Sequence, residues 1–163
     1  VKFSLTGHLV FSTLHANDAV STITRLLDMG VPPFLVGSCV KLVMAQRLIR
    51  KLCEHCREEY DPGEKELQSI GLKRDRIKEK TLYKAKGCRE CRDTGYLGRT
   101  GIFELIPMTK DVRALIYNNA NEDELRVCAL KEGMVSLREC GIQKILEGST
   151  TINEVLRITM ENA

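Results

Sequence analysis

His8-Leu9-Val10-Phe11-Ser12-Thr13-Leu14 opens the stretch HLVFSTLHAND (residues 8–18), whose reading sets the expected fold class. Seven residues, mostly apolar and rich in β-branched and aromatic side chains, fit a strand buried on both faces, as in a parallel sheet. Gly7 precedes the run and the polar His15-Ala16-Asn17-Asp18 follows it. Asn17 or Asp18 can cap a helix with apolar positions at Val20, Ile23, Leu26 and Leu27, closed by Gly30. Pro32 and Pro33 then open a second helix expected to run to about Ala45. Strand followed by helix makes the class α/β.

The two histidines of this stretch bracket the expected strand. They are an odd number of positions apart, so a regular strand sends them to opposite faces. His15 falls at the carboxyl end, where open α/β sheets bind ligands, and is the better candidate for a nucleotide phosphate. His8 reads equally well as a hydrogen-bonded structural histidine or as part of a site.

Further along, Gln46–Leu52 reads as a strand leading into Cys53-x-x-Cys56, and Leu82–Lys86 as a short strand entering Cys88-x-x-Cys91. Between the pairs, Pro62–Ile70 reads as a helix and Ser69–Arg76 as loop. After them, Tyr96–Leu105 reads as strand-turn-strand, with Gly98 and Gly101 supplying turns. Two Cys-x-x-Cys turns bring four sulfurs to one point, the donor set of a closed structural zinc site. Such an ion contributes folding energy to a module poor in aromatic residues. Zinc is placed above iron here only by the general preference of closed four-thiolate sites, and a redox Cys-x-x-Cys needs only one pair. His55, between two ligands, reads as exposed. Cys39, Cys128 and Cys140 stand singly in apolar-periodic segments and read as small buried side chains.

The last third is helical. Lys110–Tyr117 has helical spacing, and Asn121-x-x-Glu124, Ser136-x-x-Glu139 and Thr151-x-x-Glu154 each resemble a capping box before a helix. The expected domains are therefore 1–52, the α/β portion; 53–106, a tetracysteine module; and 107–163, a C-terminal helical subdomain.

Composition bounds the rest. The 163 residues are 43% hydrophobic and 29% charged, as in a globular protein, and no apolar run reaches the roughly 20 residues of a membrane span. No secretory signal is visible, and the cysteine pairs suit a reducing compartment. The chain begins at Val1 rather than Met and reads as a fragment or a processed product. The net charge of +3 is uneven: residues 46–100 hold 15 Lys and Arg against 10 Asp and Glu. That basic middle suggests a competing zinc-stabilised nucleic-acid-binding module, although only Tyr60, Tyr83 and Tyr96 offer stacking surfaces there. A chaperone-type cysteine-rich domain would need four copies of CRECRDTGYLG-like sequence and has one. An adaptor module without ATPase activity is a further alternative.

TGHLVFSTLHANDA (residues 6–19) resembles the histidine box of the ATPases that drive type II secretion and type IV pilus assembly. QRLIRKLCEHC (46–56) and GCRECRDTGYLGRTGIFELI (87–106) resemble their metal-binding region, and LRECGIQKILEGSTTINEVLRIT (137–159) their C-terminal helices. The resemblance covers essentially the whole chain, and the tetracysteine insert points away from the pilus-retraction branch. It implies the C-terminal portion of a RecA-like ATPase core, in a homo-hexameric motor on the cytoplasmic face of the inner membrane. The implied partners are nucleotide, an inner-membrane platform protein and cytoplasmic anchoring proteins, with nucleic acid not expected. The resemblance also implies that His15 contacts the γ-phosphate, that His8 belongs to the same box, and that Cys53, Cys56, Cys88 and Cys91 hold structural Zn2+. ATP and Mg2+ belong to the full-length enzyme. The sequence holds no Gly-Lys dipeptide and so no G-x-x-x-x-G-K-[ST] loop, and the chain alone is expected to be inactive.

Overall fold

A computed structural model describes residues 2–160. The elements run α1 (Lys2–Leu5), α2 (Ala19–Asp28), α3 (Pro33–Cys39), β1 (Leu42–Leu52), β2 (Glu58–Tyr60), α4 (Glu64–Ile70), β3 (Leu82–Lys84), β4 (Tyr96–Pro107), α5 (Lys110–Tyr117), α6 (Glu122–Lys131), α7 (Leu137–Leu146) and α8 (Ile152–Met160). The fold is mixed α/β with two small two-stranded sheets, β1–β4 and β2–β3. Backbone bonds from Met108 N–H to Lys41 O and from Cys53 N–H to Gly95 O join opposite ends of β1 and β4, so that pair is antiparallel.

The strand expected at residues 8–14 is not formed. Residues 8–16 carry no regular secondary structure and are exposed apart from half-buried Ala16, with Phe11 at 89% and Leu9 at 79%. The reason is pairing: among the described residues neither sheet includes this segment, so no ladder receives its N–H and C=O groups. Two further boundaries differ. α3 stops at Cys39 rather than Ala45, because Val40 turns extended and the following residues enter β1. Tyr96–Pro107 is one strand rather than strand-turn-strand; Gly98 takes a φ of +77° without reversing the chain. Within the segment expected to be loop, Arg74–Ile77 forms a 3-10 turn.

The chain divides into two compact units. Val1–Gln46 joins Phe103–Ser136, and Arg47–Ile102 joins Leu137–Ala163. The long strands β1 and β4 cause this, since the chain leaves the first unit along one and returns along the other. α5 and α6 therefore belong to the first unit and α7 and α8 to the second.

In the first unit, Val20, Ile23, Val36, Val43, Ile106, Val112, Ile116 and Leu125 form the centre of the core. α2 starts where Asp18 Oδ1 accepts the Ser21 N–H at 2.8 Å, with Ser21 Oγ returning to the Asp18 N–H. α6 starts on the Asn121–Glu124 box expected from the sequence, both bonds being present at 2.9 and 3.0 Å. In the second unit, β2 and β3 pair antiparallel with Glu58 opposite Lys84 and Tyr60 opposite Leu82, while α4 buries Leu67 and Ile70. α7 and α8 pack together through buried Gly141, Ile145, Ile152 and Val155.

Candidate functional site

The four cysteines of the two pairs meet. Their sulfurs all lie within 4.8 Å of one another, with Cys53–Cys88 at 3.9 Å, Cys56–Cys91 at 3.8 Å and Cys88–Cys91 at 3.8 Å. A tetrahedron of thiolates about 2.3 Å from a central zinc has edges of about 3.8 Å, so the spacing matches that of a closed zinc site. Each pair owes its shape to local backbone. The Cys56 and Arg57 N–H groups turn back to Cys53 O at 3.2 and 3.0 Å, and the Asp93 N–H to Cys88 O at 2.8 Å. Gly95, at φ +74°, lets its N–H reach Cys91 Sγ at 3.2 Å; a Cβ there would lie 2.5 Å from the Ala85 Cβ.

Charge at the sulfurs is uneven. Burial works to raise Cys91, but N–H groups of Cys88 and Gly95 outweigh it and bring the thiol down to about 6. Burial, reinforced by the neighbouring sulfurs, pushes Cys56 up to about 12, and it also raises Cys53. Cys91 is thus prepared as thiolate, while Cys53 and Cys56 need a cation beside them to ionise. Cys53, Cys56, Cys88 and Cys91 fit a single divalent ion with no open position. His55 is exposed, as expected. Cys39, Cys128 and Cys140 are half-buried rather than buried, and none of them joins the cluster.

The residues flanking the cysteines hold a second network that sequence reasoning missed. The Leu52 N–H bonds Ser149 O at 2.8 Å, Thr150 Oγ1 donates to Arg50 O at 2.8 Å, and Arg57 Nη1 donates to Gly148 O at 2.9 Å. Tyr96 Oη lies 2.8 Å from Thr151 Oγ1, and the Arg50 guanidinium stacks 4.1 Å over the Tyr96 ring. At its centre is Glu154. Its carboxylate accepts from the Arg50 N–H at 3.0 Å, from Arg50 Nη2 at 2.6 Å and from Arg157 Nη2 at 2.8 Å. Burial alone would raise this acid, yet the Arg157 and Arg50 bonds hold it at about 2. The only sequence signal was Thr151-x-x-Glu154, read as a capping box; Thr151 Oγ1 does accept the Glu154 N–H at 3.1 Å.

His8 and His15 both belong to the first unit. Both are exposed, and His8 Nδ1 lies 2.9 Å from Thr6 Oγ1. His15 lines a shallow concavity with Asn17, Ser21, Thr24, Arg25, Asp28 and Glu122, and His8 is not among its lining residues. Three residues after His15 the backbone becomes tightly held. Asp18 Oδ2 accepts Arg126 Nη2 at 2.7 Å, Glu104 Oε1 accepts the Ala19 N–H at 2.9 Å, and Thr24 Oγ1 donates to Glu122 Oε1 at 2.6 Å. Burial raises Asp18, but the Ser21 N–H and the Arg126 guanidinium outweigh it and keep the carboxyl below its usual range.

Fold and site together define a mixed α/β protein with a closed four-thiolate centre in one unit and an exposed histidine turn in the other. The chain belongs to the type II/IV secretion system protein family, whose model matches residues 1–157. It is 49% identical to a type II secretion system protein E of Pseudomonas aeruginosa, over 99% of this chain and 32% of that one. Identity to a type IV pilus assembly ATPase PilB of Myxococcus xanthus is 45%, over 96% of this chain and 28% of the relative. Identity to a type II secretion system ATPase E of Vibrio cholerae is 41%, over 99% and 32%. The chain spans about a third of the length of these relatives. No helix among the described residues is long and apolar enough to cross a membrane.

Proposed function

We propose that these residues work as the C-terminal part of a homo-hexameric ATPase that powers type II protein secretion or type IV pilus assembly by ATP hydrolysis. The observation that carries the reading is identity of 41–49% over nearly the whole chain to relatives that include two named as ATPases. Residues 1–52 contribute to a RecA-like core, and the motor works on the cytoplasmic face of the inner membrane against platform and anchoring proteins. His15 contacts the γ-phosphate of bound ATP, and its exposure on a concave surface beside α2 suits that role. His8 lies in the same segment and belongs to the same histidine box, its Nδ1 2.9 Å from Thr6 Oγ1.

The phosphate-gripping loop and the acids that hold Mg2+ come from other residues of the longer enzyme, because positioning and charge stabilisation are most of phosphoryl transfer. Cys53, Cys56, Cys88 and Cys91 hold Zn2+, which closes the module between the two pairs and takes no part in the chemistry. The test is a comparison of the longer enzyme with residues 1–163 alone. The longer enzyme is expected to sediment as a hexamer and to turn over ATP, and the shorter chain to give no turnover. Turnover by the short chain, or a longer protein that neither assembles nor hydrolyses ATP, refutes the reading.

A further inference from the structure

The turn that carries His15 has no regular structure of its own, yet the residue three positions on is anchored by groups far away in sequence. Asp18 is 108 positions from Arg126, whose guanidinium reaches Oδ2 at 2.7 Å. Ala19 is 85 positions from Glu104, a carboxylate only 2% exposed, which accepts its N–H. One turn before Arg126 on α6, Glu122 takes the Thr24 hydroxyl at 2.6 Å and lines the same concavity as His15. α6 therefore grips α2 at two points, at its N-cap and in its second turn. Glu104 from β4 fixes the first N–H of the helix, an unsatisfied donor that a negative charge also favours electrostatically.

Helix capping alone does not call for this. Asp18 and Ser21 already make a complete reciprocal box. Arg126 adds nothing to the count of satisfied N–H groups. What it adds is a constraint on the direction in which the chain enters α2, and so on where His15 points. Burial works against the charge on Arg126, but the bond to Asp18, with Glu104 and Glu122 nearby, outweighs it. Its side chain is about one-third exposed, so its removal leaves the core of the unit in place.

We infer that Arg126 and Glu104 are positioning residues that act through Asp18 and Ala19 to aim His15 at its ligand. This deepens, and rests on, the proposed nucleotide role of His15. The two can fail separately, and a double-mutant cycle distinguishes them. In the longer hexameric ATPase, Arg126→Met is expected to lower kcat roughly tenfold, since small misplacements of a reacting group cost that much or more, with KM changed less than about threefold. Arg126→Lys, which keeps a charge able to reach Asp18, is expected to restore most of the loss. In a His15→Ala background the same Arg126→Met change is expected to cost less than about twofold, because a residue that acts through His15 has nothing left to aim. Glu104→Gln keeps the acceptor for Ala19 N–H and is expected to show the same dependence on His15 with a smaller loss. Equal losses from Arg126→Met in both backgrounds would overturn the inference while leaving the role of His15 intact. No loss from His15→Ala itself would overturn both. Unchanged thermal midpoint and zinc content of Arg126→Lys serve as the check that the fold is retained.

Discussion

The cysteine centre and the histidine turn are both candidate sites, and they are built in opposite ways. At the centre, three of the four ligands are buried, and every pair is shaped by backbone bonds within its own few residues. In the turn, His15 is exposed, its own segment from 8 to 16 has no regular structure, and its anchors are 85 and 108 residues from the positions they hold. A metal centre of two Cys-x-x-Cys turns carries its geometry in local sequence and needs only an ion to close it. A histidine with the phosphate role proposed for His15 would need its direction set by other elements. That difference makes the first robust to changes elsewhere and the second sensitive to them.

The largest effect expected is confined to the centre. Cys53→Ser combined with Cys88→Ser removes two of four ligands. Zinc measured by atomic spectroscopy should fall from about one per chain to nearly none, since two remaining thiols do not make a closed site. Hydrogen exchange should lose about a hundredfold or more of its protection in β2, β3 and the 147–151 loop, with the first unit little changed. Loss of protection spread equally over both units would break the contrast.

A smaller effect is expected at Glu154, whose side chain is fully buried while Arg50 and Arg157 are half exposed. Glu154→Gln should cost about 1.5–3 kcal/mol, the range for hydrogen bonds to a charged group, read by urea unfolding near neutral pH. Its pH dependence has a definite sign. The carboxyl is held at about 2 against an ordinary 4.5, so its contribution is complete above the ordinary value and lost as pH falls from there toward 2. The gap between the native protein and Glu154→Gln should therefore close on acidification. A gap independent of pH would mean that charge has no part in this anchor.

The smallest expected effect sharpens the picture of the first unit. Asn121→Ala removes a complete capping box at an exposed helix start and should cost about 1 kcal/mol without altering zinc content. A change in metal occupancy on this substitution would mean that the two regions are coupled after all.

Much of this was legible in the sequence where the signal is local. The Cys-x-x-Cys pairs, the Asn121 box, the Lys110–Tyr117 helix and a cap at Asn17 or Asp18 each lie within a few residues, and the structure has them, with the cap on Asp18. The apolar run at 8–14 misled because a period and a composition that suit a buried strand do not supply the neighbour it must pair with. Val40 to Leu52 was divided wrongly because an apolar stretch reads equally well as helix or strand until its partner β4 is known. Glu154, Arg50, Glu104 and Arg126 were invisible for the same reason. Charged residues in amphipathic segments look like solvated surface, and only the folded chain shows two of these acids to be buried.

Cysteine alone is expected to close the metal centre, with the histidines left to other work. Zinc K-edge X-ray absorption on the zinc-loaded protein tests it most directly. Four sulfur neighbours at about 2.3 Å, unchanged by His15→Ala or by His55→Ala, are the expected result. A nitrogen neighbour that disappears with either histidine, or fewer than four sulfurs in the native protein, would contradict it.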